Sequence, residues 1–186
     1  EASPRFMEYI RKTQIAQDHS LKQLKEAEIS DDELKAICFN KGGYSTLLYR
    51  SILENEISEA EEAAIFSLGA GLQMLTDIFD LYKDVQNNTQ TLITNHPDFR
   101  NIESEFTQLT ERFTQQYFST SFPAKSIKKS HRAIWVVFSR GIVALDQFKG
   151  LQGENKFLEV EKFSRSPLIV DMEKPRNLYK SLWYTQ

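Results

Sequence analysis

The chain has 186 residues, 40% of them hydrophobic and 26% charged, which suits one substantial core and is too short for two. The net charge is only −3, with neither a nucleic-acid footprint nor a polyacidic tail, no apolar stretch reaches the length of a membrane span, and none of these residues reads as a signal peptide. The single cysteine, Cys38, excludes an intrachain disulfide, which points to a reducing cytoplasm and to a small core hydrophobe as its role.

Seven glycines and five prolines are few, while Leu, Glu, Lys, Gln and Ala recur in long runs, so the expected class is all-α in a single domain spanning 1–186. A first helix is predicted from Pro4 to Ala27, with Phe6, Ile10, Ile15, Leu21 and Leu24 as its apolar stripe. Ser30 followed by Asp31, Asp32 and Glu33 reads as an N-cap with a capping box, opening a second helix through Leu53. The Asp31-Asp32 pair belongs to that first turn, where carboxylates complement the helix dipole, rather than to a metal motif. Within the second helix, Lys41 precedes Gly42 and Gly43. Paired glycines there cost about 1 kcal/mol each relative to alanine, so a close approach or a kink is the expected reason for them.

Ser58 opens a third helix, predicted to run to Asn87 and Asn88. It is apolar nearly all round, yet Gln73, Asp77, Asp80 and Asp84 fall within an arc of about 60° on one face. Aspartate is a poor helix former, and three on one face cost several kcal/mol in desolvation and repulsion unless cations occupy the space they enclose. Hard oxygen-seeking ions, Mg²⁺ above all and Mn²⁺ next, are the natural candidates. An ordinary solvated stripe, or pairing with Lys or Arg from another helix, are the plainer readings of the same residues.

After a loop with His96 and Pro97, a fourth helix repeats Ile102, Phe106, Leu109, Phe113 and Tyr117 as core positions, and a fifth is predicted from Ala124 to Lys149. Lys125, Lys128, Lys129, His131 and Arg132 form the one basic cluster, at that helix start. The remainder reads as short helices and loops folded back on the bundle. His19, His96 and His131 lack zinc spacing, and neither a phosphate-binding Gly-rich loop nor a nucleophile elbow is present.

Taken in order, Ala16-Gln17, Lys41-Gly42-Gly43 and Gln73-x-x-x-Asp77-x-x-Asp80-x-x-x-Asp84 resemble the downstream half of the class I isoprenoid synthases, the fold shared by trans-prenyl diphosphate synthases and terpene cyclases. The resemblance covers roughly Ile15 to Val85 and implies an all-α bundle of the terpenoid synthase type. It implies Mg²⁺-dependent chemistry on allylic prenyl diphosphates, either prenyl transfer or diphosphate loss with cyclisation. Residue by residue, it makes Asp77, Asp80 and Asp84 metal ligands with Thr76 in a cyclase-type ligand position, and Gln73 the residue that orients them. It assigns Lys41, Gln17 and Lys83 to the substrate diphosphate. Thr76 departs from the prenyltransferase pattern, which has aspartate there.

Phe66, Phe79, Tyr44, Tyr82 and Trp135 would line the dry pocket such chemistry needs, or else pack the core. The basic cluster is either a solvated helix start or, on the resemblance, a diphosphate clamp. The family's first Asp-Asp-x-x-Asp motif has no counterpart in this chain. Together with the start at Glu1, that suggests the carboxyl-terminal part of a larger domain, and the alternative is a non-catalytic helical binding protein that keeps the fold. The resemblance also allows a homodimer.

Overall fold

The computed structural model describes residues 3–24, 28–53 and 55–185. Among them are nine helices and no strand: α1 (Pro4–Ser20), α2 (Asp31–Ser51), α3 (Glu59–Phe79), α4 (Leu81–Gln86), α5 (Leu92–Asn95), α6 (Phe99–Phe118), α7 (Ala124–Gln152), α8 (Arg165–Leu168) and α9 (Pro175–Trp183). No helix among the described residues is long and apolar enough to cross a membrane.

Serine caps set the starts of the first three helices. The hydroxyls of Ser3, Ser30 and Ser58 accept from the backbone N–H of Phe6, Glu33 and Glu61, three residues into each helix, which satisfies donors the helix leaves free. Asp31 also accepts from Asn95 and His96, so the predicted capping turn ties α2 to α5 as well.

Helix α3 occupies the centre, against α2, α6 and α7, with α1 outside α2 and α9 outside α7. The main core joins Met74, Leu75 and Ile78 to Phe106, Phe113, Phe138 and Phe148. A smaller one gathers Tyr9, Leu47 and Ile57. Gly71 faces the Phe138 ring and Gly141 faces Leu75, so α3 and α7 run in the same direction. Helix α6 runs the other way along α7, because Thr114 bonds His131 near one end and the Phe99 N–H donates to Gln152 at the other. The end of α3, with α4 and α5, therefore lies at one end of the bundle, and the α6–α7 turn lies at the other.

Four boundaries differ from the prediction, the smallest being α2, which ends at Ser51, two residues short of Leu53. Helix α1 stops at Ser20 and passes into a 3₁₀ turn at Leu21–Leu24, while the predicted end at Ala27 lies outside the described residues. Its apolar stripe is also different: Tyr9 and Ala16 are buried, whereas Ile15, Leu21 and Leu24 are exposed. Burial there follows the direction of α2, which the local pattern does not contain. The third predicted helix breaks at Asp80, although hydrogen bonds from the Asp80 N–H to Thr76 and from the Asp84 N–H to Asp80 carry the chain through the bend. Helix α7 runs past Lys149 to Gln152 and ends at Gly153, whose φ of 58° is easy only for glycine.

Candidate functional site

Helices α2 and α3 cross where Gly42 meets Gly69, and the side chains around that crossing form the site. From α2 come Cys38 and Lys41, one helical turn apart, and from α3 come Gln73 and Asp77. Asp77 is only 7% exposed and accepts from the Gln73 amide at 2.8 Å. The Cys38 thiol lies beside it and favours its charged form. Burial nevertheless dominates and pushes the Asp77 carboxyl up to about 6, with the Gln73 bond opposing it and the charge on Asp84 adding to it.

Asp84, on α4, is 9% exposed and its carboxyl is also pushed up to about 6, by burial first and then by the charge on Asp80. Lys41 is near enough to both buried carboxylates to favour their charged forms, yet it makes no direct ion pair with either. Lys83, at the surface, also favours the charged form of Asp84, so Asp77, Asp80 and Asp84 stand against two lysines and one negative charge is left uncompensated when all three acids ionise.

Asp80 sits at the bend, half-buried, and pairs with Lys83 at 3.2 Å. Lys83 itself is exposed, so the pair is a surface one. Thr76 is exposed and its hydroxyl donates back to the Leu72 carbonyl at 3.0 Å. Gln17 is exposed on α1, where its carbonyl accepts the Ser20 hydroxyl, and none of the contacts that link Lys41 to the carboxylates includes it. The structure therefore draws Lys41, Gln73, Asp77, Asp80 and Asp84 into one neighbourhood and leaves Gln17 outside those contacts. Among the described residues no group of three or more His, Cys, Asp or Glu side chains converges as a metal cluster.

The aromatic residues divide. Tyr44 and Phe66 meet edge to face at 5.2 Å beside α1, while Phe79 and Tyr82 pack against the main core. Trp135 stacks on His131 in a groove by the α6–α7 turn, away from the carboxylates. That groove also holds Lys128, Lys129 and Arg132, so a clamp from this cluster onto a group bound at Asp77 does not follow from the arrangement.

Cys38 is buried in the main core, as its sequence neighbours predict, and it also lies beside Asp77, which they do not. The signal was available: Cys38, Lys41 and Gly42 share one helical face, and Gly42 is the residue that admits α3. Burial, and then Asp77, hold the Cys38 thiol well above its usual range, so it stays protonated and a donor.

Fold and site together define an all-helical bundle with a buried, charge-imbalanced carboxylate pair at a glycine-lined helix crossing. Comparison of the chain with protein-family models, with curated proteins and with solved structures finds no match.

Proposed function

We propose that the chain is a class I isoprenoid-synthase-like protein that binds Mg²⁺ and an allylic prenyl diphosphate at Asp77, Asp84 and Lys41. The observation that carries this reading is the incompletely compensated pair of buried carboxylates, Asp77 and Asp84, with a single lysine facing both. Mg²⁺ is commonly held by one or two carboxylates, with phosphate oxygens and waters completing its shell, which suits a site that lacks a closed trio. Bound there, the ion would neutralise the diphosphate as it leaves.

The residues have distinct tasks on this reading. Asp77 and Asp84 hold the cation, and Gln73 fixes the orientation of Asp77 through its amide. Lys41 offers positive charge to the diphosphate, and Asp80 with Lys83 forms the exposed rim. The test is calorimetry with an allylic prenyl diphosphate, with and without Mg²⁺. Binding that requires Mg²⁺ and is lost in Asp77→Asn, Asp84→Asn and Asp80→Ala at unchanged helicity supports the proposal. Binding indifferent to Mg²⁺ or to these substitutions overturns it.

One observation favours a second reading, a non-catalytic helical binding protein: no trio of ligating side chains converges among the described residues. A folded protein that binds no diphosphate under any metal condition would support that alternative.

A further inference from the structure

At the end of the bundle away from the carboxylates, α6 and α7 meet in a turn that carries two exposed phenylalanines. Phe118 and Phe122 are 46% and 40% exposed. Immediately behind them, Lys125, Lys128, Lys129 and Arg132 occupy an arc of about 100° on the outer face of α7, spread over about 10 Å of helix. All four are exposed, and among the described residues none has an acidic partner. This contrasts with Lys149, Lys180 and Arg50, each spent on a carboxylate. Around the same face, a groove of about 1010 Å³ includes only Glu111 as an acid. The chain as a whole is negative, so the corner is a local reversal of its charge.

We propose that the α6–α7 corner docks on an anionic lipid bilayer, with Phe118 and Phe122 entering the headgroup boundary and the four cations contacting lipid phosphates. The layout fits an extended surface better than a small anion. The four cations extend over about 10 Å of one helix face, Lys128, Lys129 and Arg132 along the rim of the groove and Lys125 beyond it, and three are lysines, point charges suited to a diffuse negative plane. The two phenylalanines stand at the turn, Phe118 with its ring against His131 and Phe122 just before α7, with the cations one to three turns behind them along the helix. That is the arrangement by which an interfacial element buries apolar area while keeping its charges at headgroup level. His131 is not part of the charge: burial lowers its tendency to protonate, and it is stacked between Phe113 and Trp135. Docked this way, the bundle would hold the Asp77 site on the order of 30 Å from the membrane, given the helix rise between the corner and the α3 end.

The experiment is co-sedimentation of the whole chain with vesicles of phosphatidylcholine alone and of phosphatidylcholine with phosphatidylserine. The wild type should partition onto the serine-containing vesicles and release with salt. K128Q/K129Q/R132Q should lower partitioning roughly 100-fold, at about fivefold per cation. Phe122→Ser should weaken it with the salt dependence retained. Because these side chains are exposed, far-UV circular dichroism and melting should match the wild type. Equal partitioning onto both vesicle types, or unchanged partitioning in the charge variant, would overturn the proposal. So would inorganic diphosphate binding that the charge variant loses when no vesicle binding is seen, which would assign the cations to a small anion.

Discussion

A Cβ on Gly42 would lie 2.1 Å from the Gly69 carbonyl oxygen, and a Cβ on Gly69 would lie 2.2 Å from the Gly42 carbonyl. The two helices therefore cross backbone against backbone, and this crossing brings Cys38 and Lys41 to Asp77. Gly42→Ala or Gly69→Ala should destabilise by about 3 kcal/mol despite alanine's better helix propensity, since overpacking a fixed crossing forces the helices apart. Gly150, with nothing within 4 Å of its would-be Cβ, is the control, and Gly150→Ala should stabilise by about 0.5–1 kcal/mol. Urea denaturation of the three variants measures both signs.

The pH dependence of stability should carry the mark of Asp77 and Asp84. Both carboxyls are raised from the ordinary 3.8 to about 6, so the folded chain holds these protons more tightly than the unfolded one. Their contribution is fully present below about 3.8, fades as pH rises through about 6, and is absent above, about 3 kcal/mol for Asp77. His131, lowered by burial, acts in the opposite direction as its ring deprotonates, and Asp31, Asp98 and Asp146, all lowered, lose their contribution only at lower pH. The difference between wild type and Asp77→Asn isolates the effect. In metal-free buffer the variant should gain stability relative to wild type between pH 4 and 7, by melting temperature, and a flat difference would contradict the buried placement of Asp77.

Arg50 and Glu61 join α2 to α3 at 2.6 Å with side chains only 15% and 8% exposed. Removing one partner strands a desolvated charge, so Arg50→Met should cost about 3 kcal/mol. Arg50→Met with Glu61→Leu should recover most of that loss, and a double-mutant cycle by chemical denaturation gives the coupling.

Asp146 receives Lys149 at 3.0 Å, Lys180 at 2.6 Å and the Tyr184 hydroxyl at 2.6 Å, so one carboxylate anchors α9 to α7. Asp146→Ala should release α9, with hydrogen exchange at Leu178–Trp183 rising at least tenfold while α3 and α6 stay protected.

Much of the fold was legible because it is written locally. Ser30 and Ser58 mark helix starts through a bond three residues long, and Ile102, Phe106, Leu109 and Phe113 repeat at the helix period and are buried as a set. The acidic positions were legible for the same reason, since Asp77, Asp80 and Asp84 stand out in an apolar run. Other features were not local. In α1 the apolar stripe pointed one way and packing chose Tyr9 and Ala16, because α2 lies on that side. The break at Asp80 splits the predicted face, burying Asp77 and Asp84 and leaving Asp80 to pair with Lys83.

Spacing within single helices is enough to set an all-α chain, its main helices, the carboxylate positions and a reason for Gly42 and Gly43. Packing between helices is what sets Lys41 and Cys38 against Asp77, leaves Gln17 outside their contacts, and puts the basic cluster at the opposite end of the bundle. Those relations depend on which helix crosses which, and on how closely two glycines let their backbones approach.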